Sequence, residues 1–341
     1  MAVSSLPSTI KAVHQPDPSS SNLILTTTPF PILTLPDTYL VRVHAASPCL
    51  NELSWETNYP HLFDPNHERV PCTECAGVVV ASLDGEKFKP GDEVFFRGDG
   101  RPTGHLREYT IVKGATMAMK PKALSWTDAA ATPLSALTAW QGLFEHGTLN
   151  KTAIEGDVTA RRQNAKVRVL ITGAGGGVGS WAVQLAAAAG AGSIIGVCGR
   201  SKMEEVRKFG ATEIVDYRAQ PVDAWAGQDP AEREVDLVLD CIGGDTTAMC
   251  WRAIKEGGTF LSIAGQPEAA KPKDETKSVA KGVWFLVQPR GSDLTEISEL
   301  VNAGKVRPLV DSVYPFDKFK EAFERVQGGQ TKGKVVIQVI T

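Results

Sequence analysis

The chain lacks the features that would point to a nucleic-acid, membrane or disulfide-stabilised protein. It has 36 basic and 39 acidic residues and a formal net charge of −3, so no basic field would concentrate nucleic acid or anionic lipid. No apolar run reaches the roughly 18 residues that span a bilayer. Its six cysteines are too few, in 341 residues, for a disulfide framework. We therefore expect no nucleic-acid partner, no membrane partner and a protein of the cell interior.

The start of the chain also lacks a clear targeting signal. MAVSSLPSTIKAVHQ has neither the charged beginning and apolar core of a secretory signal nor the arginine-rich amphipathic pattern of a transit peptide. The sequence therefore predicts a cytoplasmic protein, and the stretch AVSSLPS leaves an organelle signal open as the alternative.

The pattern of apolar residues changes near residue 126. Before it, short alternating runs such as YLVRVHAA and AGVVVA are broken by Pro and Gly turns, which predicts an antiparallel, barrel-like region. After it, apolar strand runs alternate with helical stretches of about 10 to 15 residues, which predicts βαβ units and a parallel sheet covered on both faces. NKTAIEGDVTARRQNAK (150–166) is predicted to be an extended polar loop. The length of 341 residues agrees with about two domains.

The strongest local motif is VRVLITGAGGGVGSWAVQLA, with small residues at A-x-G-x-x-G spacing between a predicted strand and a predicted helix. Small residues there let the backbone turn tightly and approach a pyrophosphate, and the helix N-terminus offers free N–H groups. A glycine-rich turn without function is the alternative, but strand, glycines, helix and second strand occur in register. We predict a dinucleotide site at Ala174, Gly176, Gly177, Val178 and Gly179.

The end of the second strand indicates which dinucleotide is bound. An acidic residue about 20 positions after the glycines would hold the ribose hydroxyls of NAD. The chain has VCGRSKMEE instead, where Arg200, Ser201 and Lys202 offer two cations and a hydroxyl to a 2′-phosphate, which favours NADPH. A solvated basic turn is the alternative. Tyr217 in VDYR is a further candidate for a hydrogen bond to the same phosphate, although a partly buried strand-end tyrosine is equally common.

Motifs along nearly the whole chain resemble one family. The matching stretches are VRVHAASPCLNE, ECAGVVV, FKPGDEV, GHLREY, AAATPLSALTAWQGL, ITGAGGGVGSWAVQLA, KFGATEIVDYR, VDLVLDCIGG and ELVNAGKVRPLVDSVYPFDKFKEAFERVQGGQTKGKVVI. They resemble the medium-chain dehydrogenase/reductase superfamily in its zinc-free quinone oxidoreductase and enoyl reductase branch, and there the reticulon-interacting type and fungal relatives.

The resemblance implies an α/β fold with two domains. A Rossmann doubly wound parallel sheet domain, residues 126–287, is inserted into a GroES-like β-barrel catalytic domain, residues 1–125 and 288–341. The resemblance also places Thr138 in ALTAW beside the cofactor, with a helix cap as the alternative reading, and adds Cys241 in VDLVLDCIGG. A monomer and a homodimer both stay open.

Two cysteines in VPCTECAGVVV (70–80) raise the question of a metal. Compared with the zinc-binding branch of the superfamily, Cys49 stands at the position of a catalytic-zinc cysteine and Glu74 at the position of a glutamate. The histidine of that branch is replaced by Thr73, and its second cysteine by Leu134. A catalytic zinc needs three protein ligands, and this chain supplies at most two. The two cysteines have no second Cys or His pair at zinc spacing and, three apart in an alternating strand, would point to opposite faces. We predict no metal.

Without a Lewis acid, the chemistry shifts towards acceptors that delocalise charge themselves, such as an enone or a quinone. Hydride would pass from nicotinamide C4 to the β-carbon, while hydrogen-bond donors hold the enolate. Asn51 in CLNELSW matches the family's Asn near the nicotinamide and the substrate oxygen, with a turn cap as the alternative. Where the family often reads Asn-Pro-x-Asp, Asn51 is followed by Glu52, Leu53 and Ser54, so the usual aspartate is absent. Tyr59 is a candidate proton donor, although a pocket wall is the favoured reading.

Three functions are compatible with these motifs. The first is an NADPH-dependent, zinc-independent reductase of an activated C=C bond in a small enone, an enal or a biosynthetic intermediate. The second is an NADPH:quinone reductase working by one- or two-electron steps. The third is a non-catalytic NADPH-binding regulator, in which the bulky loop around Trp55, Tyr59, His61 and Phe63 plugs the pocket. We expect the first, with a small-molecule enone or quinone as the partner.

Overall fold

The strands of the computed structural model form two large sheets and one hairpin within the residues that the structure describes, 6–84, 87–99 and 103–340. Two compact units contain them. The first unit takes the described residues up to Leu134, then Gln288–Ala303 and those from Pro308 onward, and the second takes Ser135–Val287 and Gly304–Arg307. The domain boundaries expected from the sequence, at residues 125/126 and 287/288, stay a prediction.

The first unit is built on a mainly antiparallel sheet. Its strands are β1 (Thr9–His14), β2 (Ile24–Pro29), β3 (Thr38–Ser47), β4 (Glu74–Leu83), β5 (Glu93–Arg97), β6 (Tyr109–Lys113), β7 (Met117–Met119), β14 (Val310–Pro315) and β15 (Lys334–Gln338). The order is β14-β15-β3-β4-β5-β7, β6 also pairs with β3, and β1 and β2 form the separate hairpin. Buried side chains of the central strands, among them Tyr39, Val43 and Phe96, fill the core together with Phe319 and Phe323.

The second unit contains six parallel strands in the order β10-β9-β8-β11-β12-β13. They are β8 (Arg168–Ile171), β9 (Ser193–Cys198), β10 (Glu213–Asp216), β11 (Val235–Asp240), β12 (Ile254–Ser262) and β13 (Lys281–Trp284). Counted from β8, this is the doubly wound order 3-2-1-4-5-6, in which the direction of winding reverses between β8 and β11. A crevice for a ligand is expected at that point, outside the carboxyl ends of the strands.

The helices cover both faces of this sheet and close the core of the first unit. They are α1 (Trp55–Asn58), α2 (Trp126–Ala130), α3 (Pro133–Gln141), α4 (Val158–Asn164), α5 (Gly177–Ala188), α6 (Met203–Lys208), α7 (Val222–Gly227), α8 (Pro230–Arg233), α9 (Asp245–Ala253), α10 (Gly291–Asn302) and α11 (Phe319–Gln327). Single 3₁₀ turns occur at Glu52–Ser54, Pro60–Leu62, Gly114–Thr116, Lys151–Ala153, Arg200–Lys202, Pro267–Ala270 and Phe316–Lys318, and a π turn at Gly142–His146. The helices in the described ranges are all too short or too polar to cross a membrane.

The predicted extended loop at 150–166 is wrong, because α4 lies within it. The carboxylate of Asp157 accepts hydrogen bonds from the backbone N–H groups of Thr159 (2.8 Å) and Ala160 (3.1 Å). This is N-capping, which satisfies amides that otherwise have no partner in the first turn. The polar composition of the segment hid a helix that its capping aspartate starts.

Candidate functional site

The loop after β8 lies at the carboxyl edge of the parallel sheet, where α5 begins. A Cβ added to Gly179 would lie 2.3 Å from the carbonyl oxygen of Gly173, so α5 can pack this closely on the loop only with glycine there. The N–H of Ala174 donates to the carbonyl of Val197 on β9 (3.0 Å), which fixes the loop to the sheet. No described side chain caps α5, so its first amides are available to a pyrophosphate.

A buried carboxylate organises the loop after β11, on the other side of the crevice. Asp240 is fully buried. Its Oδ1 accepts a hydrogen bond from the hydroxyl of Thr172 (2.7 Å) and another from the N–H of Ile242 (3.0 Å). Its Oδ2 accepts one from the hydroxyl of Thr247. The N–H of Cys241 donates to the same Thr172 hydroxyl (2.8 Å), so this network places the predicted cofactor residue Cys241 beside the glycine loop.

The structure brings the residues predicted to bind the 2′-phosphate to one corner of this edge. The Arg200–Lys202 turn follows β9, and Tyr217 follows β10, its neighbour in the sheet. The side chain of Tyr217 is 48% exposed, and its ring lies over Gly199, since Cε1 is 3.5 Å from the position of an added Cβ. The carbon chain of Lys202 packs on the glycine loop, with Cδ 2.7 Å from where a Cβ on Gly175 would be.

The carboxylates near this corner are bound by other cations. Glu204 pairs with Lys208 at 2.7 Å, and Glu205 pairs with Arg307. Arg200 is exposed and makes no ion pair with any residue that the structure describes. The corner therefore offers an uncompensated guanidinium, which suits a phosphate dianion.

Thr138 lies in the interior of α3, five residues after its first residue, and is buried. It is not at a helix start, so the capping alternative for this threonine is not realised. The structure places it in the second unit, on a different element from the glycine loop.

In the first unit, Asn51 has left-handed backbone dihedrals, φ 60° and ψ 11°. Its carbonyl accepts hydrogen bonds from the N–H (3.0 Å) and hydroxyl (2.8 Å) of Ser54. Its side-chain amide is exposed, does not cap the following 3₁₀ turn and makes no hydrogen bond within the described parts of the chain. Asparagine tolerates this backbone better than most residues, so the turn fixes the backbone of Asn51 and leaves its amide free to bind another group.

Beneath this turn lies a buried ion pair between Glu74 and Lys334. The Lys334 ammonium is 2.8 Å from Oε1 of Glu74 and donates to the carbonyl of Pro48 at 2.8 Å. Oε2 of Glu74 accepts the backbone N–H of Leu134 at 2.7 Å. Burial by itself lowers the pKa of Lys334, but the acidic groups around it, Glu74 first and then Cys49 and Glu52, together hold that pKa above its usual value. Lys334 therefore ties the 48–52 segment to the C-terminal strand as a fixed cation.

Glu52, which follows Asn51, is also buried but lacks an ion-pair partner in the described chain. Its Oε2 accepts the N–H of Cys49 at 2.9 Å. Oε1 has no hydrogen-bond partner among the described residues. Burial raises the pKa of Glu52 to about 7. Glu52 and Lys334 are not among the site residues predicted from the sequence, and only the position of Glu52, next to Asn51, offered a signal.

The residues at the zinc-branch positions do not fit a catalytic zinc. Both oxygens of Glu74 are engaged, one by Lys334 and one by the N–H of Leu134. Burial raises the pKa of the Cys49 thiol to about 11, so no thiolate is ready as a ligand. The described residues include no group of three or more His, Cys, Asp or Glu side chains that could hold a metal ion. A metal-free protein stays a prediction, and no step below passes through a metal.

Cys72 and Cys75 are not neighbours within one strand, as the sequence pattern suggested. β4 begins at Glu74, and Cys72 precedes it with a left-handed φ of 67°. Both thiols are fully buried in the core of the first unit, where burial raises their pKa values well above the usual range. Because Cys72 lies outside the strand, the alternation of side chains along β4 does not determine where the two thiols point. Both cysteines behave as small apolar core residues.

Tyr59 ends α1, in the bulky loop of the first unit. Its N–H donates to the carbonyl of Trp55 at 2.8 Å, and its carbonyl accepts the N–H of Leu62 at 3.0 Å. The side chain is partly exposed. The roles of proton donor and pocket wall both stay predictions for Tyr59.

Known proteins match both units. The model of the alcohol dehydrogenase GroES-like domain matches residues 35–122, and that of the zinc-binding dehydrogenase matches residues 209–337. A protein of Arthroderma benhamiae named "Probable zinc-binding oxidoreductase, mitochondrial" is 38% identical over 340 residues, which cover 99% of each chain. The chain belongs to the medium-chain dehydrogenase/reductase superfamily.

Other relatives in this superfamily carry oxidoreductase names. The human "NAD(P)H oxidoreductase RTN4IP1, mitochondrial" is 33% identical over 345 residues, covering 91% of this chain and 84% of that protein. The "Chloroplast envelope quinone oxidoreductase homolog" of Arabidopsis thaliana is 31% identical over 273 residues, covering 79% of each. This chain is accordingly an oxidoreductase of the medium-chain dehydrogenase/reductase type.

A solved structure shows the same fold. The quinone oxidoreductase from Coxiella burnetii matches with a TM-score of 0.79 at 22% identity, over 97% of this chain and 100% of that one. The predicted α/β fold, a GroES-like domain with a Rossmann parallel sheet, is confirmed.

The predicted cytoplasmic address is wrong. The fungal and human medium-chain relatives are both named mitochondrial. The prediction depended on composition and on a pattern search in the first residues. Net charge and apolar content are set by the needs of a folded domain and carry no address, since a targeting signal is read by a receptor.

Proposed function

We propose that the protein is an NADPH-dependent, zinc-independent reductase that adds hydride to an activated C=C bond of an enone or enal. The observation that carries this proposal is the amide of Asn51, exposed, without a partner in the described chain and held by a left-handed turn. An amide donor of this kind suits a substrate oxygen on which negative charge develops.

The cofactor-binding part of the proposal depends on the sheet edge of the second unit. The amides at the start of α5 would hold the pyrophosphate, and the glycine loop leaves room for it. Arg200, Ser201, Lys202 and Tyr217 would surround the 2′-phosphate that distinguishes NADPH from NADH. The human relative is named an NAD(P)H oxidoreductase, which agrees with this choice. When bound, NADPH supplies the hydride.

The reacting end depends on what the first unit does to the substrate. The Asn51 N–H donates to the carbonyl oxygen, and this hydrogen bond strengthens as the oxygen gains enolate character. Lys334 holds the segment that carries Asn51 through the carbonyl of Pro48, so the donor is already in place before substrate arrives. A saturated alcohol offers no conjugated oxygen of this kind, and we expect it not to react.

A quinone is the second candidate substrate, and the name of the Arabidopsis thaliana relative favours it. A quinone carries the same conjugated carbonyl, so the Asn51 amide can serve both classes. Quinone reduction differs in its product, a hydroquinone, and in the option of one-electron steps that release a semiquinone.

The test is turnover of NADPH with matched panels of enones, enals, quinones and saturated alcohols. NADPH deuterated at C4 should deliver its label to the β-carbon of the best enone, as seen by NMR of the product. Faster turnover of quinones with a semiquinone signal in electron paramagnetic resonance would favour the second candidate. NADPH binding with no turnover of any acceptor would contradict both and leave a regulatory protein.

A further inference from the structure

Reduction of a C=C bond consumes a proton as well as a hydride, and the proposed function leaves the source of that proton open. Glu52 directly follows Asn51 in the chain, yet its side chain is only 8% exposed while Asn51 is exposed. A buried carboxyl one residue along the chain from the oxygen-binding amide is a candidate source of that proton.

Glu52 lines a small cavity within the first unit. The cavity measures about 40 Å³, and about 10–15 Å³ is enough for one water molecule. Two of the residues that line it have a buried oxygen without a hydrogen-bond partner among the described residues. These oxygens are Oε1 of Glu52 and the hydroxyl of Thr73. Buried polar groups are normally satisfied, so these two oxygens indicate that water occupies the cavity.

The charges around Glu52 favour its neutral form. Two buried carboxyls, Glu52 and Glu74, face one buried ammonium, that of Lys334, and the thiols of Cys49 and Cys72 add no positive charge. Glu74 is paired with Lys334, whose ammonium contacts it at 2.8 Å. An ionised Glu52 would be a buried charge without a partner, which is costly. Glu52 therefore keeps its proton. Its Oε2 accepts the Cys49 N–H, which leaves Oε1 to carry the O–H.

The other charged groups that line the cavity are not candidates for supplying the proton. Glu56 forms a two-pronged ion pair with Arg69, at 2.7 and 2.8 Å, and its pKa is lowered by that hydrogen bonding. His67 lies 3.5 Å from the same carboxylate. Glu56 therefore stays ionised, and Glu52 is the neutral acid on the cavity wall.

We propose that Glu52 is the proton store of the reaction and that its proton reaches the substrate through water; the proposal rests on the proposed function. Hydride adds to the β-carbon, and the C=C electron pair moves towards the carbonyl oxygen held by Asn51. The O–H bond of Glu52 then breaks, its proton passes through water, and a C–H bond forms at the α-carbon. Glu52 is left as a carboxylate and regains a proton from solvent before the next turnover.

The first experiment needs no substrate. Infrared difference spectra of the whole protein, recorded from about pH 5 to about pH 9, should show a carboxylic acid C=O band that disappears with a midpoint at about pH 7. The band should shift in D₂O, vanish in Glu52→Gln and persist in Glu299→Gln, which changes an exposed glutamate of α10. An unchanged band in Glu52→Gln would overturn the assignment of the proton to Glu52, whatever reaction the enzyme catalyses.

The second experiment uses the best substrate. Glu52→Gln should lower kcat about 100-fold and remove the fall of kcat above about pH 7, while NADPH affinity stays within error. Thr73→Val, which keeps Glu52 but removes the cavity hydroxyl, should lower kcat about 10-fold and keep the pH profile. If wild-type protein reduces no activated double bond, the proposed function fails. If it does, and Glu52→Gln keeps the wild-type rate and pH profile, the proton store is wrong.

Discussion

Two chain neighbours in the first unit have opposite surroundings. Asn51 takes left-handed dihedrals, and its amide is exposed, whereas Glu52 points inward and is held by the N–H of Cys49. The turn therefore separates a neutral hydrogen-bond donor at the surface from an acid in the interior. Each group keeps the environment that its chemistry needs, although only one peptide bond joins them.

Asn51→Ala is expected to lower kcat/KM with the best enone by about 100-fold to 1,000-fold, because it removes a donor to the developing enolate oxygen. NADPH affinity should be unchanged, since the cofactor-binding loops belong to the second unit. Steady-state kinetics and NADPH fluorescence titration measure the two quantities separately.

Two further variants separate the amide from the backbone. Asn51→Gly keeps a residue suited to left-handed dihedrals but has no amide, so it should be as slow as the alanine variant. Asn58→Ala removes another asparagine of the same segment, whose amide hydrogen-bonds only the hydroxyl of Ser54 among the described residues, and should be near wild type. Full activity in Asn51→Gly would show that the turn, and not the amide, matters.

Arg200→Ala is expected to weaken NADPH binding about 10-fold and to leave NADH binding unchanged, because Arg200 is an exposed cation without a described ion-pair partner. Arg207→Ala, on the exposed side of α6, is the matched control and should change neither affinity. Isothermal titration with both dinucleotides distinguishes the two residues. An equal loss of NADH affinity would argue against a role at the 2′-phosphate.

At the residue scale, the sequence predicts Arg200 because it stands at a fixed offset from the glycine motif, and the family resemblance predicts Asn51. Lys334 could not be found in this way. Its partner Pro48 is 286 residues away, and nothing in GKVVIQVI indicates that its lysine is buried. Burial of a charge depends on which distant segments meet, and local spacing does not contain that information.

At the scale of elements, the alternation of strands and helices was enough to predict the parallel sheet, since each apolar run and each helical stretch carries its own period. It did not predict how the loops between them are fixed. Asp240 and its hydroxyl partners come from β11, α9 and the glycine loop, and the capping of α4 by Asp157 is a one-residue signal in a polar segment. Loop structure depends on such single contacts, which composition averages out.

Thr247→Val is expected to lower the free energy of unfolding by about 1.5–3 kcal/mol, the range for a hydrogen bond to a charged group. The variant leaves the buried carboxylate of Asp240 one donor short and loosens the loop that carries Cys241. Urea unfolding followed by circular dichroism measures the loss, and NADPH affinity should fall with it. Thr246→Val is the control, because the hydroxyl of Thr246 makes no hydrogen bond to any described residue. This variant should be close to wild type in its free energy of unfolding and in its NADPH affinity.

At the scale of the whole molecule, both ends of the chain contribute to the core that holds the candidate site of the first unit. β15 supplies Lys334, and β3 leads into the turn of Asn51, while α11 adds Phe319 and Phe323 to the same core. The motifs predicted two domains and a GroES-like part made from both ends. The balance of two buried carboxyls and one ammonium could not be predicted, because it exists only when these segments fold together.

This balance makes stability depend on pH. The folded state holds a proton on Glu52 up to about pH 7, whereas the unfolded chain releases it near its ordinary value of 4.5. Between these values the folded state binds more protons than the unfolded state, so this group's contribution to stability falls as pH rises, by about 3 kcal/mol in total. Carboxylates such as Glu56, whose pKa is lowered, act in the opposite direction at lower pH.

The free energy of unfolding of wild type relative to Glu52→Gln should therefore decrease from about pH 5 to about pH 7 and then level off. A difference between the two proteins that does not vary with pH would mean that Glu52 is ionised in the folded state as it is in the unfolded chain.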